Sequence, residues 1–265
     1  MTIAMNTQAG KIITLFSTAS GSGKTIAAIN IAAALRKDLF NVCLVDLDVQ
    51  FNDVCRYLHK QADLSIYNYT EDTADLARVT NYITHSQNCF DILAAPNKLE
   101  ESYNIAADNI SDILEQLRYR YDYVIVDTTT GFGELTLAAI AQTDILLFLG
   151  IVDFIPTIKN MNIGLDTLKR IGFDSSKIKL VLNRESAKTD ISIKDVEGLL
   201  GRKFFHTIPN DFEACLTSIK SGIPLVESSN SKPIVQSYNQ LAKKLSNPDD
   251  NAERQGISKL FGKLW

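Results

Sequence analysis

The chain has 265 residues, of which 45% are apolar and 22% charged, with 13 Gly, 6 Pro and 4 Cys. This composition is typical of a globular protein and excludes a collagenous, low-complexity or wholly disordered chain. The formal charge of -4 does not favour nucleic-acid binding, although it leaves room for a local basic patch. The length allows one large domain or two small ones.

The cysteines and histidines indicate neither a disulfide framework nor a metal centre. No C-x-x-C pair occurs, so we expect buried free thiols, as in a reducing compartment. The histidines lack metal-ligand spacing. Residues 1–10 do not resemble a secretory signal, and no run reaches the roughly 18 apolar residues of a membrane span. We therefore expect a cytoplasmic protein. The residues concerned are Cys43, Cys55, Cys89, Cys215, His59, His85 and His206.

Short apolar runs alternate with longer amphipathic segments along the chain. The runs are continuously apolar, which is typical of strands buried on both faces. The predicted strands cover 11–17, 41–46, 89–95, 123–127, 144–150, 179–182 and 203–207. The predicted helices cover 24–36, 109–118, 134–142, 157–171 and 193–200, with short helices expected in the polar segment 48–87. The order predicts a single α/β domain over 1–245, a mostly parallel sheet with helices on both faces.

The segment between the first strand and the first helix predicts a phosphate-binding loop. Residues 18–25 read T-A-S-G-S-G-K-T, with Thr18 where the standard pattern has Gly. Small residues let backbone N–H groups turn towards phosphate oxygens at the start of a helix. Lys24 is expected to reach the β- and γ-phosphates, and the Thr25 hydroxyl suits Mg²⁺. The nucleotide contacts predicted from this segment are Gly21, Ser22, Gly23, Lys24, Thr25 and Ile26.

Carboxylates end two other predicted strands. Asp46 and Asp48 follow the second strand, and Asp127 ends the fourth. Because ligands of open parallel sheets bind at the carboxyl ends of the strands, these acids are placed to hold Mg²⁺ beside the loop. Taken alone, Asp46 is equally typical of a helix cap or a turn. The coincidence of three signals at matching strand ends favours a site.

These residues resemble the MinD/ParA group of P-loop ATPases, whose loop reads K-G-G-x-G-K-T, whose second strand ends D-x-D and whose Walker B strand ends D-x-x-x-G. The resemblance spans nearly the whole chain. Within the group, the CpaE/TadZ pilus-assembly branch is most similar. The segments that carry this likeness are 46–58 (DLDVQFNDVCRYL), 182–186 (LNRES) and 208–227 (IPNDFEACLTSIKSGIPLVE).

The resemblance implies roles for single residues. Lys24 and Asp48 would act in catalysis, with Asp48 positioning or activating the attacking water. Thr25, Asp46 and Asp127, the Walker B acid, would serve Mg²⁺. Asn183 would hydrogen-bond the adenine edge, although by itself it is also typical of a strand-end turn. The base-contacting positions implied are Asn183, Arg184, Pro209, Asn210 and Asp211.

One departure from the family pattern concerns hydrolysis. The signature lysine of the family, which reaches the phosphates of a partner subunit, falls at Ala19, and the next glycine falls at Ser20. A cation at such a position is worth about 10³–10⁵ in rate in related phosphoryl-transfer enzymes. The resemblance therefore implies binding of ATP or ADP with Mg²⁺ more firmly than hydrolysis. Arg184 is one cation that could substitute.

Three rival classes are disfavoured. The segment 97–100 (NKLE) resembles a GTPase base motif, but it precedes Walker B and ends in Glu. The chain has no cysteine between 90 and 214, which disfavours an iron–sulfur protein. The C-terminus also lacks the tyrosine cluster of the related kinases.

The last residues form a second feature. A polar linker is predicted over 246–255, followed by an amphipathic helix over 256–265 that is too short to be stable in water on its own. Its basic opposite face suits an anionic membrane, and it resembles the membrane-targeting helix of MinD. The same stripe would also suit a partner or the protein's own body. The apolar face consists of Ile257, Leu260, Phe261, Leu264 and Trp265.

Together the resemblance implies an ATP-sandwiched homodimer that organises a pilus or secretion assembly at the inner membrane or a cell pole. Two alternatives stay open. One is a partition-type ATPase that binds DNA, for which Lys169, Arg170, Lys177 and Lys179 are candidate contacts, although they equally suit a solvated surface. The other is a scaffold that binds nucleotide without turnover. DNA is the less expected partner of this acidic chain.

Overall fold

The computed structural model describes residues 9–71, 79–85, 90–185, 191–228 and 232–247. The strands are β1 (Lys11–Phe16), β2 (Val42–Leu47), β3 (Asp91–Leu93), β4 (Tyr123–Thr128), β5 (Ile145–Gly150), β6 (Ile178–Glu185) and β7 (His206–Pro209). They form one sheet in the order β3-β2-β4-β1-β5-β6-β7, and all neighbouring strands are parallel. The predicted parallel α/β fold is confirmed.

Helices occupy most of the chain between the strands. They are α1 (Lys24–Lys37), α2 (Asp53–Tyr57), α3 (Ile66–Glu71), α4 (Leu99–Ser102), α5 (Ala107–Arg118), α6 (Glu134–Gln142), α7 (Ile155–Arg170), α8 (Ile193–Leu200), α9 (Phe212–Ser221) and α10 (Pro233–Ser246). Short 3-10 turns lie at Val79–Tyr82, Ser175–Lys177 and Leu225–Glu227. None of the described helices is long and apolar enough to cross a bilayer.

Helices cover both faces of the sheet because successive strand residues point to opposite sides. Ile13 and Leu15 of β1 pack with α1 and α10 on one face. On the other face, Ile12 packs with α5 and Phe16 packs with α7. This two-sided burial explains why the strands are continuously apolar in sequence.

The topology places the ends of several strands around one crevice. From β1 the chain moves to one side of the sheet through β2, β3 and β4, and then to the other side through β5, β6 and β7. The crevice at such a reversal, outside the carboxyl ends of the strands, is the usual ligand site of doubly wound sheets. The Ala-rich helix α1 starts directly in this crevice and is buried along most of its length.

The predicted boundaries differ from the structure in several places. The strand predicted at 203–207 is displaced to His206–Pro209, and Phe205, just before it, donates its N–H to Leu180 O at 2.7 Å. The strand predicted at 179–182 extends to Glu185. The strand predicted at 89–95 shortens to β3, and its Cys89 lies outside the described residues.

Three helices, α4, α9 and α10, have no counterpart in the sequence prediction, although signals for two of them were present. The Asp211 side chain caps α9 by accepting from Ala214 N at 2.9 Å, and Gly222 ends that helix in the left-handed conformation. Pro233 opens α10. Such capping residues are helix boundary signals that do not depend on hydrophobic periodicity.

The free-thiol prediction is confirmed for the cysteines that the structure describes, of which Cys43 and Cys55 are buried and Cys215 is half-buried. The predicted membrane-facing residues 257, 260, 261, 264 and 265 lie outside the described residues, as does the predicted linker beyond Asn247.

Candidate functional site

The loop predicted to bind phosphate lies between β1 and α1, at the crevice. Gly21 and Gly23 adopt the left-handed conformation, with φ of 66° and 86°. Side chains are disfavoured there, so glycine lets the loop turn sharply into the first turn of α1. At the start of the loop the Ser17 hydroxyl accepts from Ala19 N at 3.1 Å and donates to Ala19 O at 3.2 Å. The loop and helix N-terminus together have the form of an anion site.

The outer side of this loop is held by the end of β6. Asn183 Nδ2 donates to Ser22 O at 2.8 Å, and Arg184 Nη2 donates to Gly21 O at 2.7 Å. A Cβ on Gly23 would collide with the Asn183 amide, so this glycine is also required by a close approach. The structure thus brings the first loop and the end of β6 together, as the resemblance implied.

Lys24 points into the centre of the crevice. Its side chain is buried with 8% of the residue exposed, and its Nζ donates to Thr130 Oγ1 at 3.1 Å. Burial lowers the pKa of Lys24, while Asp127 and then Asp48 partly offset that shift. Sequence reasoning did not give Thr130 a role. Its position three residues after Asp127 is the signal that places it at the same strand end.

Asp127 presents unsatisfied oxygens to the same space. It is fully buried, and neither carboxylate oxygen has a hydrogen-bond partner of ordinary geometry among the described residues. Burial raises its pKa to about 7, although the nearby Thr25 hydroxyl and the Lys24 ammonium hold the pKa down. Buried polar atoms are normally paired, so these oxygens indicate a ligand site. An oxygen pair beside a hydroxyl fits Mg²⁺.

Asp46 lies beside Asp127 in register on the neighbouring strands β2 and β4, but its surroundings differ. Its carboxylate accepts from Asp48 N at 3.0 Å and from Val54 N at 3.2 Å. Burial, and then the charge of Asp127, raise the pKa of Asp46 well above its ordinary value. In this structure Asp46 therefore fixes the turn between β2 and α2, and its metal role stays a prediction.

Asp48 lies in that turn, half-buried. Burial raises its pKa, the neighbouring Asp53 raises it further, and Lys24 lowers it. A raised pKa brings a carboxylate nearer to the range of a general base, so the predicted role in activating water is compatible with its place. Among the described residues, no three His, Cys, Asp or Glu side chains gather as a metal cluster. The free oxygens of Asp127 and the nearby Thr25 hydroxyl are the best placed of the predicted metal residues.

The predicted base-binding residues line one cavity of about 130 Å³ beside the loop. Asp211 is not a free ligand there, because it caps α9 and also forms an ion pair with Lys232 at 3.2 Å. The predicted residues in the lining are Gly23, Ile26, Asn183, Arg184, Pro209, Asn210 and Asp211. Sequence reasoning missed the apolar part of the lining, which comes from the unpredicted helices α9 and α10. These missed residues are Phe212, Cys215, Leu216, Ile219, Ile234 and Tyr238.

Ala19, which stands where the family pattern has its signature lysine, lies within the phosphate loop. The residue is nearly buried at 9% exposure, and its neighbour Ser20 is exposed. A methyl group cannot carry charge to a phosphate, so position 19 supplies no cation. Cations at the loop include Lys24, whose Nζ donates to Thr130 Oγ1, and Arg184, whose Nη2 donates to Gly21 O.

Known proteins resemble this chain in sequence over much of its length. A family model described as "AAA domain" matches residues 10–162. The septum site-determining protein MinD of Thermotoga maritima is 23% identical over 245 residues, covering 89% of this chain and 88% of that protein.

Two solved structures share the fold. A ParA family ATPase from Chlorobium tepidum superposes with a TM-score of 0.82 at 22% identity, covering 88% of this chain and 99% of that one. MinD complexed with Mg-ADP from Pyrococcus horikoshii superposes with a TM-score of 0.78 at 20% identity, covering 89% and 96%. The chain belongs to the AAA domain family, and its sequence and fold are of the MinD/ParA type.

Proposed function

We propose that this chain binds ATP and ADP with Mg²⁺, hydrolyses ATP slowly, and works as a nucleotide-dependent homodimer that localises a pilus or secretion assembly at the membrane. The observation that carries the nucleotide part is that the buried Lys24 ammonium feels the charge of Asp127, whose buried oxygens lack a hydrogen-bond partner of ordinary geometry among the described residues, next to the turn of Gly21 and Gly23. A buried acid without a partner is costly to a fold unless it serves a ligand.

Different residues of the chain would contact the phosphates, the metal ion, the attacking water and the base. Gly21 and Gly23 give the turn its shape, and the Lys24 ammonium binds phosphate oxygens after leaving Thr130. Asp127 and Thr25 would hold Mg²⁺, whose charge neutralises phosphate oxygens when it is bound. Asp48 would orient the attacking water, and Asn183 with Pro209 would receive the base.

Slow turnover is proposed because of Ala19. The lysine that the family places at this position would bring a cation to the partner's phosphates, and the alanine brings none. A catalytically inactive scaffold is the second candidate function, favoured by the same residue. A matched rate of hydrolysis between this chain and a family member with the lysine would remove the scaffold candidate.

The dimer proposal is supported by apolar residues on the same edge of the sheet. Phe154 is 67% exposed and Ile155 is 62% exposed, at the start of α7 directly after β5. Large apolar side chains that remain exposed together are typical of interaction surfaces. A face-to-face dimer across the nucleotide would cover them.

The cellular part of the proposal depends on the similarity of 46–58, 182–186 and 208–227 to the CpaE/TadZ branch and on the amphipathic sequence of 256–265. We place the protein on the cytoplasmic face of the inner membrane or at a cell pole. Two weak helices on one dimer would bind together by avidity, so ATP would increase membrane occupancy.

One experiment tests these parts together. The full chain is sedimented as apo, ADP and ATP forms, with and without vesicles of phosphatidylethanolamine and phosphatidylglycerol. We expect an ATP-dependent dimer and co-sedimentation that is lost when residues 256–265 are deleted. Co-sedimentation unchanged by the deletion would contradict the membrane role of the tail. Salt-sensitive, ATP-dependent binding of duplex DNA in a parallel run would instead support the partition alternative.

A further inference from the structure

Side chains at the end of β6 hold the phosphate loop from outside. Two consecutive side chains, Asn183 and Arg184, donate to two consecutive loop carbonyls, those of Ser22 and Gly21. Peptide groups whose carbonyls are tied outward present their N–H groups to the opposite side, where an anion binds. The two contacts therefore fix the face of the loop that a phosphate would meet.

The backbone of β6 departs from regular geometry to make these contacts. Arg184 has φ of 58°, in the left-handed region that non-glycine residues rarely adopt, and the β6–β7 register is irregular between Leu182 and Glu185. The Asn183 Oδ1 accepts from Arg184 N at 3.0 Å, which stabilises the bend. Strain of this kind persists only where the surroundings enforce it, and it clusters at ligand sites.

The tip of the loop contributes little of its own support. The Ser22 hydroxyl is buried and has no hydrogen-bond partner among the described residues. Position 19 carries a methyl group, and its backbone contacts run to Ser17 at the start of the loop. At the tip, the contacts from β6 are therefore the side-chain hydrogen bonds that reach the Gly21 and Ser22 carbonyls.

We infer that Arg184 is a positioning residue for the phosphate loop, which it preorganises from outside together with Asn183 without touching the phosphate. This inference rests on the proposed nucleotide function. It gives Arg184 a role in phosphate affinity, although Arg184 lies 163 positions along the chain from Gly21, whose carbonyl it contacts. Preorganisation raises affinity because the ordering cost is met before the ligand arrives. Because Arg184 also lines the base cavity, its replacement should weaken phosphate binding more than adenosine binding.

The test compares Arg184→Met with Arg202→Met in the full chain. Arg202 Nη2 donates to Ser175 O at 2.8 Å, so the control loses the same kind of contact away from the loop. Affinity is measured for MgATP, for inorganic tripolyphosphate with Mg²⁺, and for adenosine. A charge-assisted hydrogen bond corresponds to roughly tenfold in affinity. We expect Arg184→Met to weaken MgATP and tripolyphosphate about tenfold and to weaken adenosine by a smaller factor.

A second readout does not depend on nucleotide binding. Amide hydrogen exchange of residues 19–24 in the nucleotide-free protein should be about tenfold faster in Arg184→Met and unchanged in Arg202→Met. If the wild-type chain binds no nucleotide, the proposed function is contradicted. Faster exchange in Arg184→Met would still support the positioning role in that case. Unchanged exchange, or a loss confined to adenosine, would overturn the positioning role.

Discussion

The two ends of the nucleotide site are built in opposite ways. At the phosphate end, the two buried oxygens of Asp127 have no hydrogen-bond partner of ordinary geometry in the described part of the chain, and Lys24 donates to Thr130. At the base end, Asn183 and Asp211 are already engaged with the loop, a helix cap and Lys232. The phosphate end is thus left open for charge, whereas at the base end existing protein contacts must be given up before these side chains can contact a ligand. Substitutions at the phosphate end should therefore affect binding most.

The largest effect is expected for Lys24→Met. The ammonium is desolvated and faces two acids, and its loss removes charged hydrogen bonds to the phosphates. We expect MgATP affinity to fall at least about a hundredfold, by titration calorimetry. The control is Lys37→Met at the other end of α1, where the ammonium donates to Val226 O at 3.1 Å. Equal losses in the two variants would contradict a direct role for Lys24.

The next effect concerns turnover. Ala19→Lys restores the cation that the family places at this position, and a lysine there has a flexible stem beside the exposed Ser20. We expect phosphate release at saturating MgATP to rise at least tenfold, a small part of the range known for such cations. Ala19→Met has similar length without the charge and should leave the rate unchanged. A rate unaffected by the lysine would mean that slow turnover has another cause.

The two neighbouring acids offer a direct contrast. Asp127→Asn should abolish most of the Mg²⁺ dependence of ATP binding, roughly tenfold. Folding stability should change little, because neither oxygen of the buried carboxylate has a hydrogen-bond partner of ordinary geometry among the described residues. Asp46→Asn should instead destabilise the fold by about 1–3 kcal/mol, since an amide nitrogen cannot accept from Asp48 N or Val54 N. Urea unfolding and ATP titration with and without Mg²⁺ separate the two results. The reverse pattern would exchange the roles assigned to the two residues.

The sequence predicted the phosphate end better than the base end, for a physical reason. Lys24 opens the first helix and Asp127 lies near the end of β4, positions that a βα pattern locates, and their chemistry follows from charge. The apolar half of the base cavity comes from α9 and α10, where Phe212 and Tyr238 are brought beside Asn183 by long-range packing. No local pattern specifies that neighbourhood. The contact of Arg184 with Gly21 O depends on the left-handed conformation of Arg184, which the sequence L-N-R-E does not predict.

The smallest predicted effect lies behind the base end, where His206 joins β7 to α10. Its Nε2 lies 3.0 Å from Ser237 O and 2.9 Å from Ser237 Oγ, and its Nδ1 faces the Lys244 ammonium at 3.3 Å. These neighbours suit a neutral ring that accepts at Nδ1. Burial, and then the charge of Lys244, lower the pKa of His206 to about 4.

The sign of the pH effect follows from this depressed pKa. The unfolded chain takes up a proton near the ordinary histidine pKa of about 6.5, whereas the folded chain does not until about 4, so acid favours unfolding in this window. Between pH 7 and 5.5 we expect this histidine to remove about 1 kcal/mol of stability. Urea unfolding at both pH values should show the loss in wild type and a reduced loss in His206→Gln, while the exposed His59→Gln keeps the wild-type slope. If the change of unfolding free energy with pH is the same in His206→Gln as in wild type, other groups cause the acid sensitivity. The contact between β7 and α10 behind the base end would then not depend on a neutral imidazole.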